Sequence, residues 1–179
     1  MTNFFQKNKP HSSSIANGTG LDVNNIDPSR YRVLIVDDDI SIKNMLKLSL
    51  SRYGYKCRAA DSGEAAQCII SEDEQPFDIV ITDVHMPGMD GIEFLKWVKD
   101  MNPTTRVIMI TGYPDVKLNS KAMEYGADNF LIKPFTMNKL NATVTASCRN
   151  IISSGKKCSQ PEAEDSHGMS GYKINKALI

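Results

Sequence analysis

Four short apolar runs in this sequence each end in a residue able to do chemistry. Val33-Leu34-Ile35-Val36 runs into Asp37-Asp38-Asp39, Ile79-Val80-Ile81 into Thr82-Asp83, Val107-Ile108-Met109-Ile110 into Thr111-Gly112, and Phe130-Leu131-Ile132 into Lys133-Pro134. Carboxylates grouped without His or Cys at ligand spacing favour a hard divalent ion. Mg2+ is held by a few carboxylates and keeps waters and a phosphate oxygen. Such an ion offsets the repulsion among Asp37, Asp38 and Asp83. A carboxylate beside it can attack phosphorus to form an aspartyl phosphate, while the metal and an ammonium neutralise the oxygens in transfer. Asp83, Lys133 and Thr111 fit these parts.

These residues can meet only if the runs lie side by side. Unbroken Val/Ile/Leu strands are what a parallel sheet covered on both faces requires. The weaker run from Tyr55 to Ala60 alternates and carries Lys56 and Arg58, which suits an edge strand. Apolar residues at helical spacing fill the gaps: Ile42, Met45, Leu46, Leu50 and Tyr53; then Ala65, Ala66, Ile69 and Ile70; then Ile92, Leu95, Val98 and Met101; finally Met137, Leu140, Val144, Cys148 and Ile151. Asp115 to Gly126 is the least periodic of the helical segments. Asp39 stands where a helix N-cap belongs, and Met86-Pro87-Gly88-Met89-Asp90-Gly91 is turn chemistry leading into a helix. The alternation predicts an α/β fold, a doubly wound parallel sheet with right-handed crossovers. Ligands of such sheets bind beyond the carboxyl ends of the strands, so the carboxylates, the hydroxyl and the ammonium should converge on one cleft there.

Composition bounds the rest. The chain has 179 residues, with 21 Lys+Arg balancing 21 Asp+Glu. Its mean hydropathy is -0.32. That balance excludes a cationic nucleic-acid coat, and no apolar run approaches the roughly 20 residues of a membrane helix. The amino terminus lacks the apolar stretch of a signal peptide, so no membrane insertion and a cytoplasmic location are expected. Cys57, Cys68, Cys148 and Cys158 form no C-x-x-C pair and read as reduced thiols. Residues 1–30 are rich in Asn, Ser, Thr, Gly and Pro without apolar period, and are expected to form a flexible arm. Residues 31–152 have the size of one domain, and 153–179 form a polar tail.

Across residues 31–152 the motifs VLIVDDD, DIVITDVHMPGMDG, VIMITG and NFLIKPF occur in the order found in the receiver domain of two-component response regulators, and the sequence resembles that family. The resemblance implies a five-stranded, flavodoxin-like sheet with strand order 2-1-3-4-5. It implies that Asp83 accepts phosphate from a histidine kinase or phosphotransfer protein, and that Asp37 and Asp38 hold Mg2+ together with Asp83 and the backbone carbonyl of His85. Thr111 would bond a phosphoryl oxygen, Lys133 would pair with it, and Phe130 would be the rotating switch aromatic. The Lys133-Pro134 bond would be cis. His85 and Tyr113, two positions after Asp83 and Thr111, would border the path of the water that hydrolyses the phosphate.

Residues 153–179 are too few and too polar for a helix-turn-helix unit, so direct DNA binding is not expected and a stand-alone receiver acting on a partner protein is favoured. The start of the last helix, Thr136-Met137-Asn138-Lys139-Leu140, departs from the Glu-Leu and Arg pattern of receivers joined to winged-helix domains. Their charged dimer face is therefore not expected. The phosphorylated protein would act as a phosphoacceptor rather than a turnover enzyme. Two alternatives stand beside this reading. One is a Mg2+-dependent phosphohydrolase working through an aspartyl phosphate, against which the acid/base position after Asp83 holds His85. The other is an amino-terminal piece of a longer regulator.

Overall fold

The computed structural model describes residues 26–113 and 115–155. Strands and helices alternate throughout: β1 (Arg32–Val36), α1 (Ile40–Arg52), β2 (Lys56–Ala60), α2 (Gly63–Glu72), β3 (Ile79–Asp83), α3 (Gly91–Met101), β4 (Arg106–Thr111), α4 (Val116–Glu124), β5 (Asn129–Ile132) and α5 (Met137–Ser153). The five strands form one parallel sheet in the order β2-β1-β3-β4-β5. This is the doubly wound, flavodoxin-like arrangement expected from the sequence.

Because successive strand side chains point to opposite faces, the apolar runs split between two cores. Val33, Ile35, Ile79, Ile81, Ile108 and Ile110 meet Leu46 and Leu50 of α1 and Leu140, Val144 and Cys148 of α5. On the other face Leu34, Val36, Val80, Val107 and Met109 meet Ala66 of α2, Phe94, Leu95 and Val98 of α3, and Ala122 of α4. β3 is buried along its whole length, as an interior strand must be. β2 alternates, exposing Lys56 and Arg58 at one sheet edge.

Several expectations need correcting. β5 is the second edge, as the 2-1-3-4-5 order implies, but its apolar run is not covered on both faces: Phe130 is half-buried and Ile132 exposed. Met45 and Tyr53 do not join the buried stripe of α1; that stripe is Lys43, Leu46 and Leu50, and each helical residue turns about 100° from its neighbour, which carries Met45 off it. Lys43 is buried by pairing with Asp61. Met101, the last residue of α3, is likewise exposed. The segment with the least period does form a helix, α4, with Asp115 accepting from the Lys117 amide as its cap.

The arm expected over residues 1–30 is ordered at its end. Asp27 caps a 3-10 turn over Pro28–Arg30, Ile26 packs on the α1/α5 core and Tyr31 is buried. Residues 1–25 and 156–179, including Cys158 and most of the tail, lie outside the described residues. Cys57, Cys68 and Cys148 form no disulfide with one another. No helix among the described residues is long and apolar enough to cross a membrane.

An ionic clamp closes the sheet at the end where the strands begin. Asp128 accepts from Arg106 at 2.7 Å, from Lys99 at 2.9 Å and from the Val107 amide at 2.8 Å, tying α3, β4 and the approach to β5. Burial opposes the charge of Asp128, but these bonds outweigh it and hold its pKa below the usual 3.8. A depressed carboxylate stabilises above its unfolded pKa and loses that contribution as pH falls through the folded value. Asp128→Ala should therefore cost about 2–3 kcal/mol at pH 7. In urea titrations the gap to wild type should close as the pH is taken below 3.8.

Candidate functional site

Three strand ends converge on one ammonium. Lys133, just past β5, places Nζ 2.5 Å from Oδ1 of Asp83 and 3.2 Å from Oδ2 of Asp37. Asp83 is the last residue of β3 and Asp37 follows β1, so the parallel register brings both to the same edge. Both carboxylates are buried, Asp37 to 1% exposure. The backbone of Lys133 is fixed by its amide, which donates to the Thr111 carbonyl at 2.8 Å, and the Lys133-Pro134 bond is cis.

The remaining lone pairs are met by amides. His85 N donates to Asp83 Oδ2 at 2.7 Å, and Asp39 N donates to Asp37 Oδ1 at 2.9 Å. Asp39 itself accepts from the Ser41 and Ile42 amides, capping α1 as its position predicts. Asp38 is exposed beside the pair.

Burial pushes the Asp37 carboxyl above its usual 3.8 despite the Asp39 amide and Lys133. Burial also works against the charge on Lys133, yet the bond to Asp83 and the fields of both carboxylates win and raise its pKa. Two carboxylates thus share one fixed cation, leaving negative charge uncompensated at the cleft.

Among the described residues no three His, Cys, Asp or Glu side chains are drawn together to cage a metal ion. The donor set is nonetheless that of Mg2+, which takes one or two carboxylates and completes its shell with water and phosphate oxygen. Asp37 and Asp83 supply hard oxygen and surplus negative charge, with Asp38 at hand. The residues present fit that ion.

Thr111, the last residue of β4, is fully buried and its hydroxyl is engaged with Tyr113, donating to the carbonyl and accepting from the amide at 3.1 Å each. Tyr113 is 75% exposed, and its ring meets His85 edge to face, centroids 5.7 Å apart at 82°. The two residues singled out from sequence therefore touch each other. Phe130 lies opposite Met109 on β4 and packs on the α2/α3/α4 core.

Two further residues support the site, Gly91 in the turn already read from the sequence and Glu64, which the sequence did not single out. A Cβ on Gly91 would collide with the Asp83 carbonyl oxygen, so only glycine lets α3 begin against the backbone of Asp83. Its amide also donates to the Val84 carbonyl at 3.0 Å. Glu64, in the first turn of α2, accepts from the Met89 amide at 2.9 Å and steadies the loop after β3, in which Gly88 has φ 75°. Gly91 follows a visible cap residue, Asp90, but nothing near Glu64 in sequence signals its contact.

An aspartate at the end of a central strand, flanked by a second acid, a strand-end hydroxyl and an ammonium on a 2-1-3-4-5 sheet, defines a class of phosphoacceptor fold. Residues 33–145 match the response regulator receiver domain model, and the chain belongs to that family. Receiver domains serve two-component phosphorelays and interact with histidine kinases or phosphotransfer proteins. The chain is 41% identical over 112 residues to the transcriptional regulatory protein ZraR of Escherichia coli, covering 63% of this chain and 25% of that protein. It thus spans about a quarter of that regulator's length. It is 40% identical over 121 residues to a probable chemotaxis protein CheY of Rhizobium etli, covering 65% of this chain and 92% of that one. The solved chemotaxis response regulator CheY4 of Vibrio cholerae superposes with a TM-score of 0.61 at 33% identity, over 65% of this chain and 98% of its own.

The raised Asp37 carboxyl yields a stability test. A carboxyl whose folded pKa is raised contributes fully below its unfolded pKa and loses that contribution as pH rises through the folded value. At pH 7 the Asp37 charge is therefore a cost. Asp37→Asn should raise the melting temperature in chelator-treated buffer at pH 7 by about 4 °C. That gain should fade as pH falls toward 3.8. A lowered melting temperature would show that the Lys133 pair outweighs the burial.

Proposed function

We propose that this chain is a stand-alone receiver that accepts a phosphoryl group on Asp83 and thereby changes its binding to a partner protein. The observation that carries this reading is the Lys133 ammonium held between Asp37 and Asp83. Asp37, Asp38, Asp83 and the His85 carbonyl would hold Mg2+, which when bound supplies charge neutralisation for the transferring oxygens.

The chain's own groups do the rest. A carboxylate oxygen of Asp83 forms the new bond to phosphorus as the bond to the donor's imidazole nitrogen breaks. The His85 amide and Lys133 hold the Asp83 side chain for in-line approach, and Lys133 stays paired with the growing negative charge. For Thr111 to bond a phosphoryl oxygen, its hydroxyl must release the Tyr113 carbonyl, so loading the site shifts the β4–α4 loop. Phe130, half-buried on an edge strand, can follow that shift. The face of α4 and β5, which exposes Val116, Met123 and Ile132, is where a partner protein would read it. With His85 at the position where a phosphohydrolase would carry its acid/base, we assign phosphoacceptor chemistry and slow self-hydrolysis rather than turnover of outside substrates.

The match over 92% of the Rhizobium etli protein supports the stand-alone reading. The match to a quarter of ZraR supports a receiver at the head of a longer regulator. Reading the gene downstream of codon 179 decides between them.

Acetyl phosphate with Mg2+ should label the protein on Asp83, and Asp83→Asn should abolish the label in mass spectra. Persistent labelling of that variant would overturn the assignment. The Tyr113 ring, in contact with the His85 ring next to Asp83, would exclude the attacking water by its bulk. Tyr113→Ala should hence speed phosphate release several-fold. A marked slowing in His85→Ala would instead assign the imidazole a hydrolytic role.

A further inference from the structure

The loop between β3 and α3 carries His85, whose carbonyl would help to hold Mg2+. Its amides are held by carboxylates rather than by a backbone ladder. His85 N donates to Asp83 at 2.7 Å, Met89 N to Glu64 at 2.9 Å and Asp90 N to Glu93 at 3.3 Å. Asp83 and Glu93 belong to the strand and the helix that flank the loop, so their bonds are local. Glu64 stands 25 residues before Met89, in the first turn of α2. Among the described residues it is the one side chain from another element that bonds a backbone amide of this loop.

Packing closes the same junction. Ser62 caps α2 by accepting from the Ala65 amide at 3.2 Å, which fixes the turn on which Glu64 stands. A Cβ on Gly63 would come within 2.8 Å of Met89 Sδ and 2.9 Å of its Cβ, so the Met89 side chain lies on the bare backbone of Gly63. A Cβ on Gly88, where φ is 75°, would come within 2.7 Å of Glu64 Oε1. The two glycines let α2 and the loop approach closely enough for Glu64 to reach the Met89 amide. Its own amide, the Met89 amide and the Ser62 hydroxyl hold the Glu64 carboxyl below the usual 4.5, so it grips the loop as a carboxylate.

We propose that Glu64 is a positioning residue for the phosphoacceptor site: through the Met89 amide it holds the β3–α3 loop so that the His85 carbonyl can join Asp37 and Asp83 around Mg2+. This role rests on the phosphoacceptor reading of Asp83, and it extends the site to a helix that carries none of the reacting groups. A loop already ordered loses less conformational freedom when the cation binds, so releasing the clasp weakens binding without touching a ligand. Partners that orient metal ligands commonly change metal affinity by about tenfold or more. Global stability depends far less on Glu64, because its side chain is exposed and no core group is removed with it.

Two measurements on the full chain test this: Mg2+ titration followed by NMR through the amides of residues 83–91, and hydrogen exchange of the Met89 amide in chelator-treated buffer. Glu64→Ala should weaken Mg2+ binding and speed Met89 exchange, each by about tenfold. Its melting temperature should stay within about 2 °C of wild type. Glu64→Gln keeps an acceptor oxygen at the same reach and should bring both readings back near the wild-type values. Equal Mg2+ affinity in wild type and Glu64→Ala would overturn the proposal. So would a Gln variant as weak as the Ala variant, which would assign the effect to the charge of the carboxylate rather than to its hydrogen bond. A wild type that binds no Mg2+ would overturn the metal reading itself and the role of Glu64 with it, an outcome distinct from wild type and variant binding equally well.

Discussion

The ammonium of Lys133 is the contact on which the site depends. It is the fixed cation shared by two buried carboxylates that arrive from separate strands, and removing it would leave like charges facing each other in a low dielectric. The sheet order makes the meeting possible. β1 and β3 are neighbours, and β5 reaches them past β4, to which the Lys133 amide is tied. The cluster is electrostatically costly in itself, so its geometry is imposed by the two apolar cores beneath it. An under-neutralised pocket with rigid walls is what a binding site for a cation and a phosphoryl group requires.

Much of this was legible in the sequence because of one geometric rule, that parallel strands present their carboxyl ends on a common edge. Asp37, Asp83, Thr111 and Lys133 each end an apolar run, and all four lie at that edge. Asp39 as a cap and β2 as an edge strand were legible from local chemistry alone. What escaped was set by partners distant in the chain. The contact of Glu64 with Met89 and the grip of Asp128 on Lys99 and Arg106 leave no local pattern. The exposure of Met45 and Tyr53 escaped because apolar spacing alone does not say how wide a buried stripe is. The partial exposure of β5 escaped because its short apolar run carries no polar alternation.

Rigidity is distributed unevenly around the cleft. On the β1 and β3 side, backbone amides hold both carboxylates and α3 starts in contact with the Asp83 carbonyl. On the β4 and β5 side, the contacts are fewer and exchangeable: a hydroxyl bonded to a neighbouring loop carbonyl, two exposed rings meeting edge to face, and a half-buried aromatic on an edge strand. The half that holds Asp83 is stiff, and the half with exposed rings and the edge strand has alternatives within reach. That division lets one side of the cleft rearrange without requiring the Asp83 carboxylate to move.

The close approach at Gly91 reaches beyond geometry to heredity. No side chain at all can stand there without displacing the backbone that carries Asp83. A position that performs no chemistry is therefore as closed to variation as the acid beside it. Among descendants of this sequence Gly91 would persist as stubbornly as Asp83, and a survey of tolerated substitutions would single it out although it never touches phosphate.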